Sequence, residues 1–79
     1  MARWHSQLSH PIVLRDGTKL ETLSEARAFI LGEPSHIQER ISWQEAAELL
    51  MAAAEDGARI KDATEQIEMA LFLEARLAI

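Results

Sequence analysis

Apolar and polar positions change period twice along this chain. Between residues 11 and 22 the period is two. Ile12 and Leu14 alternate with Val13 and Arg15, and Leu20 sits between Lys19 and Glu21, with Asp16-Gly17 between the two runs. Alternating runs around Asp-Gly predict a β-hairpin. A two-residue loop would set Leu14 against Lys19 and Ile12 against Glu21, mixing apolar and charged side chains on one face. A three-residue loop with Gly17 as a left-handed bulge sets Ile12 against Leu20 and Leu14 against Thr18. That leaves Val13, Lys19 and Glu21 outside. Burial of one face selects the bulged register.

From residue 22 the period becomes helical. Thr22 and Glu25 form a capping box, after which Leu23, Ala26 and Ile30 share a side, with Phe29 beside them. Gly32 is placed to end this helix in a left-handed conformation, and Pro34 stops it from resuming. Residues 33–41 read as a polar connector containing His36 and Arg40. A second capping box, Ser42 with Glu45, opens a second helix carrying Trp43, Ala46, Ala47, Leu50 and Ala54 on one stripe. Asp56-Gly57 ends it. A third helix starts near Asp62, capped with Glu65, or earlier at Ala58; its stripe is Ala63, Ile67, Ala70 and Leu71. The predicted fold is α+β, an N-terminal β-hairpin followed by three α-helices in the order β-β-α-α-α. Residues 1–10 read as a polar tail that becomes ordered near Trp4 or His10, and residues 11–79 as a single small domain.

The third helix departs from a simple amphipathic pattern. Beyond Glu68 the apolar residues spread around its axis. Ala70, Leu71 and Ala78 continue the first stripe, while Met69, Phe72 and Leu73 make a second. A helix apolar on most sides is buried on most sides. Two readings stay open. Either this helix is central, covered by the hairpin on one side and the other helices opposite, or its second stripe is a self-association surface. In the second reading Met69, Phe72 and Leu73 meet a second copy, and Arg76, on the same side, pairs with Glu65 or Glu68 of that copy.

Composition narrows the partners. Seventy-nine residues make one domain with a thin core, and there is no cysteine for a disulfide or a thiolate metal site. That absence fits a reducing, cytoplasmic setting. The formal charge of −5 is unevenly placed. Residues 1–40 hold five basic and five acidic groups; residues 41–79 hold three basic and eight acidic. Backbone phosphates and anionic membranes call for clustered Lys and Arg, so nucleic acid and membrane surfaces are poor partners. No run approaches the roughly 20 apolar residues of a membrane span, and residues 1–10 carry no signal-peptide core.

Reactive residue types are present without a recognisable constellation. His5 and His10 fall in the tail, at a spacing that matches no zinc pattern. Ser6 and Ser9 lie near them, but a nucleophile needs a base, an orienting acid and oxyanion donors on a rigid frame. The glutamates of the second helix, Glu45, Glu48 and Glu55, read as a solvated face, and no calcium loop appears. No catalytic residue, metal ligand or cofactor-binding residue is assigned, and no cofactor is expected. Trp43 lies on an apolar stripe. Trp4, outside any regular element, is either packed over the hairpin or a partner anchor.

Taken together, several of these residues resemble a known family. Trp4, Pro11-Ile12-Val13, Gly17, Thr22-Leu23-Ser24-Glu25-Ala26, Phe29-Ile30-Leu31, Trp43 with Ala46, and Phe72-Leu73-Glu74-Ala75 are similar to a domain-of-unknown-function family of short proteins from soil and plant-associated bacteria. The resemblance implies a cytoplasmic single-domain protein. It carries no catalytic or binding residue over. The function expected from the residues is a non-catalytic protein-interaction module, working as a homodimer or on another protein. The interface candidates are Met69, Phe72, Leu73, Arg76 and Trp4. The alternative is a nucleic-acid-associated regulator acting within a complex, which a basic patch of Arg3, Arg15, Lys19 and Arg27 would favour.

Overall fold

The computed structural model describes residues 2–77. Two antiparallel strands, β1 (Gln7–Val13) and β2 (Lys19–Thr22), lead into α1 (Leu23–Leu31), a single-turn α2 (Ser35–Gln38), α3 (Ile41–Glu55) and α4 (Ile60–Leu73). The class is α+β, as the periodicities predict. Among the described residues there are four α-helices rather than three, because the connector contains α2.

The hairpin adopts the register that burial selects. Ile12 pairs with Leu20, and the Leu14 amide donates to the Thr18 carbonyl at 2.8 Å. Gly17 has φ +91°, where an L side chain is strained. The Asp16 carboxylate accepts from the Thr18 amide at 2.9 Å, and that backbone hydrogen bond holds its carboxyl below the usual carboxylate range.

Strand β1 starts earlier than expected, inside the segment read as a tail. Gln7 pairs with Thr22, whereas Ile12 pairs with Leu20, so residues 8–11 of β1 bulge opposite residue 21 alone. The displaced backbone finds other partners. The Ser9 amide donates to Thr64 Oγ1 of α4 at 3.1 Å, and Pro11 has no amide to satisfy. Leu8, inside the bulge, is buried. Upstream of β1, Ser6 and Trp4 accept from the amides of Leu23 and Ser24 at 3.0 and 2.9 Å. Thr22 Oγ1 accepts from the amide of Glu25 in the expected capping box. The first three amides of α1, which have no partner within the helix, are therefore all paired, two of them by the N-terminal segment.

Other helix ends differ from the sequence expectation. Gly32 is right-handed (φ −81°, ψ −7°), not left-handed. Its amide bonds back to Ala28 and Phe29, and Pro34 forces the chain to extend just beyond. With that stop in place the helix needs no glycine reversal. Pro34 then opens α2, its carbonyl accepting from Ile37 and Gln38. Helix α3 begins at Ile41, with the Arg40 carbonyl accepting from Trp43 and Gln44, so Ser42 lies inside the first turn and makes no cap. Helix α4 begins at Ile60, after a 3-10 turn (Gly57–Arg59) capped by Asp56, so Asp62 lies in its first turn and is not its cap. The start at Ile60 falls midway between the two weighed from the sequence, Ala58 and Asp62. These caps give an expected contrast: Thr22→Ala costs about 1 kcal/mol in chemical denaturation, and Ser42→Ala has no measurable effect. Equal losses at the two sites would contradict these boundaries.

One core joins all layers. Leu8, Ile12, Leu14 and Leu20 of the hairpin meet Leu23, Ala26 and Ile30 of α1, Trp43 and Leu50 of α3, and Ile67 and Leu71 of α4. Small residues, Ala46, Ala53 and Ala54 on α3 and Ala63 and Ala70 on α4, line the buried sides of these two helices.

Helix α4 ends at Leu73 in a Schellman motif. The Arg76 amide bonds to Leu71 and the Ala75 amide to Phe72, with Ala75 left-handed at φ +58°. The chain doubles back, so that Leu77 bridges to Leu14 and the Arg15 amide reaches the Arg76 carbonyl at 2.9 Å. A left-handed L residue costs about 1–2 kcal/mol, partly offset by its lower unfolded-state entropy relative to glycine. Ala75→Gly is therefore expected to stabilise the domain by about 0.5–1 kcal/mol and to raise the thermal midpoint by a few degrees. An unchanged or lower midpoint would contradict the left-handed cap. Ala78, placed on the buried stripe from its spacing, lies outside the described residues.

Candidate docking surface on the last helix

The second apolar stripe of α4 splits in the fold. Phe72 and Met69 are 56% and 52% exposed, while their neighbours Ala70 and Leu71 are fully buried. Helical spacing puts residues 67, 70 and 71 toward the core and residues 65, 69 and 72 on an adjoining side. Glu65, Glu68, Met69, Phe72 and Leu77 line one shallow open groove. Leu73 is 62% exposed but does not line it. The helix is thus not covered on both sides, and the reading of a doubly buried central helix is corrected at Met69, Phe72 and Leu73.

Leu77 was not among the interface candidates. It enters the groove because the chain reverses at Ala75, and an alanine in a left-handed conformation leaves no sequence signal. Arg76 is displaced by the same reversal. It leaves the helix side shared by Met69 and Phe72, pairs with Glu33, and lays its guanidinium over Phe29 with Cζ 4.9 Å from the ring centroid. Phe29 stacks in turn on Trp43, with centroids 6.1 Å apart. Arg40 pairs with Glu74 at the same end of the molecule. Arg76 and Arg40 thus clamp the C-terminal turn to the α1–α3 connection.

Trp4 is half-buried on a different surface. With Arg27, Ile30, Leu31, Ala47, Leu50 and Met51 it lines an apolar groove of about 190 Å³ between α1 and α3. The Arg27 guanidinium lies 5.0 Å from the Trp4 ring centroid, a cation–π contact. Arg15 lines another groove, with Asp16 and Arg76. Arg15 and Arg27, two of the four members of the basic patch considered from the sequence, therefore border different grooves.

One contact beside the α4 groove was not foreseen. His10 Nε2 meets Glu68 Oε2 at 2.9 Å, and Ser9 Oγ lies 3.5 Å from His10 Nδ1. Serine, histidine and carboxylate in series suggest an acyl-transfer relay. The geometry argues otherwise. At 3.5 Å the hydroxyl is beyond effective proton-transfer reach of about 2.6–3.2 Å, and both side chains are exposed. The Ser9 amide, a natural oxyanion donor, is already committed to Thr64 Oγ1, and Pro11 offers none. What the contact does is fix Glu68 at the groove edge. Among the described residues no group of three or more His, Asp or Glu side chains is arranged to hold a metal ion, and no helix is long and apolar enough to cross a membrane.

Comparison with protein-family models, curated proteins and solved structures finds no match to this chain.

Proposed function

We propose that this domain is a non-catalytic protein-interaction module that docks a partner in the α4 groove. The observation behind this reading is the pairing of a closed core with an open apolar face on one helix. Leu71 is fully buried, and the next residue, Phe72, presents more than half of its surface to water. Exposed apolar side chains scattered singly need no explanation, but Met69, Phe72 and Leu77 share a groove. Aromatic residues and Met are enriched at the centres of protein interfaces.

The test is site-specific photo-crosslinking in the source cell. A photoreactive residue at position 72 is expected to give a discrete protein adduct that the same residue at position 48, on the exposed face of α3, does not give. Equal or absent adducts at the two positions would overturn the reading.

A further inference from the structure

Building on that reading, we infer that the occupant of the α4 groove is a basic amphipathic segment of another protein: a helix whose large apolar side chains are flanked by Lys or Arg. The groove floor is Met69, Phe72 and Leu77, and among the described residues its other lining residues are Glu65 and Glu68, with neither Lys nor Arg among them. A polarizable, apolar floor with an acidic edge is complementary to that pattern and to few others. The other apolar groove, beside Trp4, carries Arg27 and so has the opposite charge preference.

The same geometry disfavours a second copy of this chain. A two-fold contact places each surface on itself, so Glu65 and Glu68 would need cations from the opposing copy. The sequence offered Arg76 for that role, but Arg76 is held by Glu33 and by the Phe29 ring. Within α4 itself the one Lys or Arg is Lys61, one turn before Glu65. In an antiparallel contact centred between Met69 and Phe72, Lys61 would lie about 20 Å along the axis from the opposing Glu65 at 1.5 Å per residue. That is too far to pair. Among the described residues, His10 is the group paired with Glu68 at the groove edge. The net charge of −5 adds general repulsion between copies.

The experiment uses the full chain and three labelled synthetic peptides of about 14 residues, read by fluorescence anisotropy at physiological salt. The first has Leu at i, i+3, i+4 and i+7 with Lys elsewhere. The second has the same composition scrambled so that no apolar face forms. The third replaces Lys by Glu. The first peptide is expected to bind at least ten-fold more tightly than either control. Phe72→Gln and, separately, Met69→Gln are expected to weaken it several-fold to ten-fold. Glu65→Gln with Glu68→Gln should weaken it and flatten its salt dependence. Glu45→Gln with Glu48→Gln on α3, and Met51→Gln at the other groove, should leave it unchanged.

Binding that follows net charge alone, with the scrambled peptide as tight and the α3 variants as damaging, would overturn the inference. A preference for the Glu peptide would do so too. Adducts from position 72 that join two copies of this chain would replace the basic partner by a homodimer while leaving the interaction reading intact. Loss of peptide binding together with loss of the position-72 adduct would remove both.

Discussion

Replacing Trp43 by alanine is expected to cost the domain about 3–5 kcal/mol, the range for deleting a buried large aromatic. A chain of this size has a total stability of about 4–12 kcal/mol at typical per-residue values, so the loss is a large fraction of the whole and the urea midpoint should fall sharply. Trp43 is 1% exposed and is the largest fully buried side chain. It carries the Phe29 ring, and Phe29 carries the Arg76 guanidinium that holds the C-terminal turn to Glu33. Truncation therefore leaves a cavity and loosens the clamp together. The indole N–H of Trp43 is buried with no hydrogen-bond partner among the described residues. An unpaired buried donor costs about 1–3 kcal/mol, so Trp43→Phe should lose much less than Trp43→Ala. Urea denaturation of the two variants checks this; a Trp43→Ala loss under about 1.5 kcal/mol would show that the aromatic stack does not anchor the fold.

Leu71→Ala is the second large effect, at about 2–5 kcal/mol. Leu71 is fully buried on the core side of α4, with Ile67 and Ala70 beside it. Its carbonyl also accepts the Arg76 amide that closes the Schellman turn. The backbone bond survives truncation, so the loss should come from the cavity and the contacts around it. The m-value should stay unchanged, because the two-state surface is the same. A loss below about 1 kcal/mol would place Leu71 at the periphery rather than in the core.

The parts of this fold that were legible in the sequence are those where local chemistry and burial agree. Asp16-Gly17 offers a turn, and only the bulged register keeps Ile12, Leu14 and Leu20 on one face; the structure uses both. Thr22 and Glu25 are close enough to satisfy one another whatever the rest of the chain does. The misreadings arise where a local signal meets a tertiary alternative. Ser42-x-x-Glu45 has the same spacing as Thr22-x-x-Glu25, but Arg40 supplies the first acceptor of α3, so the pattern falls inside the helix. Gly32 could have reversed the chain, but Pro34 had already stopped it. The reversal sits instead at Ala75, which has no propensity for it. It is held by the Arg76–Glu33 pair and by the bridge of Leu77 to Leu14, contacts from distant parts of the chain.

The candidate site was legible to a similar degree. The excess of apolar residues after Glu68 pointed to Met69 and Phe72, which share the groove. Leu73 and Arg76 looked equivalent on a straight helix, but Leu73, though exposed, does not line the groove, and Arg76 lies past the helix end. Trp4 belongs to another surface, because the N-terminal segment is tied by Arg3 to Ala54 and by Trp4 and Ser6 to the start of α1. The bulge that brings His10 to Glu68 depends on Thr64, more than fifty residues away in sequence, and no local pattern announces it.

The central claim is that Phe72 belongs to a surface kept free of the fold's own packing. The measurement that bears on it most directly is the unfolding free energy of Phe72→Gln in urea against the unmodified chain. Glutamine adds no charge beside Glu65 and Glu68, so the comparison isolates the ring. A loss under about 1 kcal/mol with an unchanged m-value is the expected result, as for a substitution at the surface. A loss of about 3 kcal/mol or more, the cost of removing a core phenylalanine, would contradict the account and return the Phe72 face to the interior of the domain.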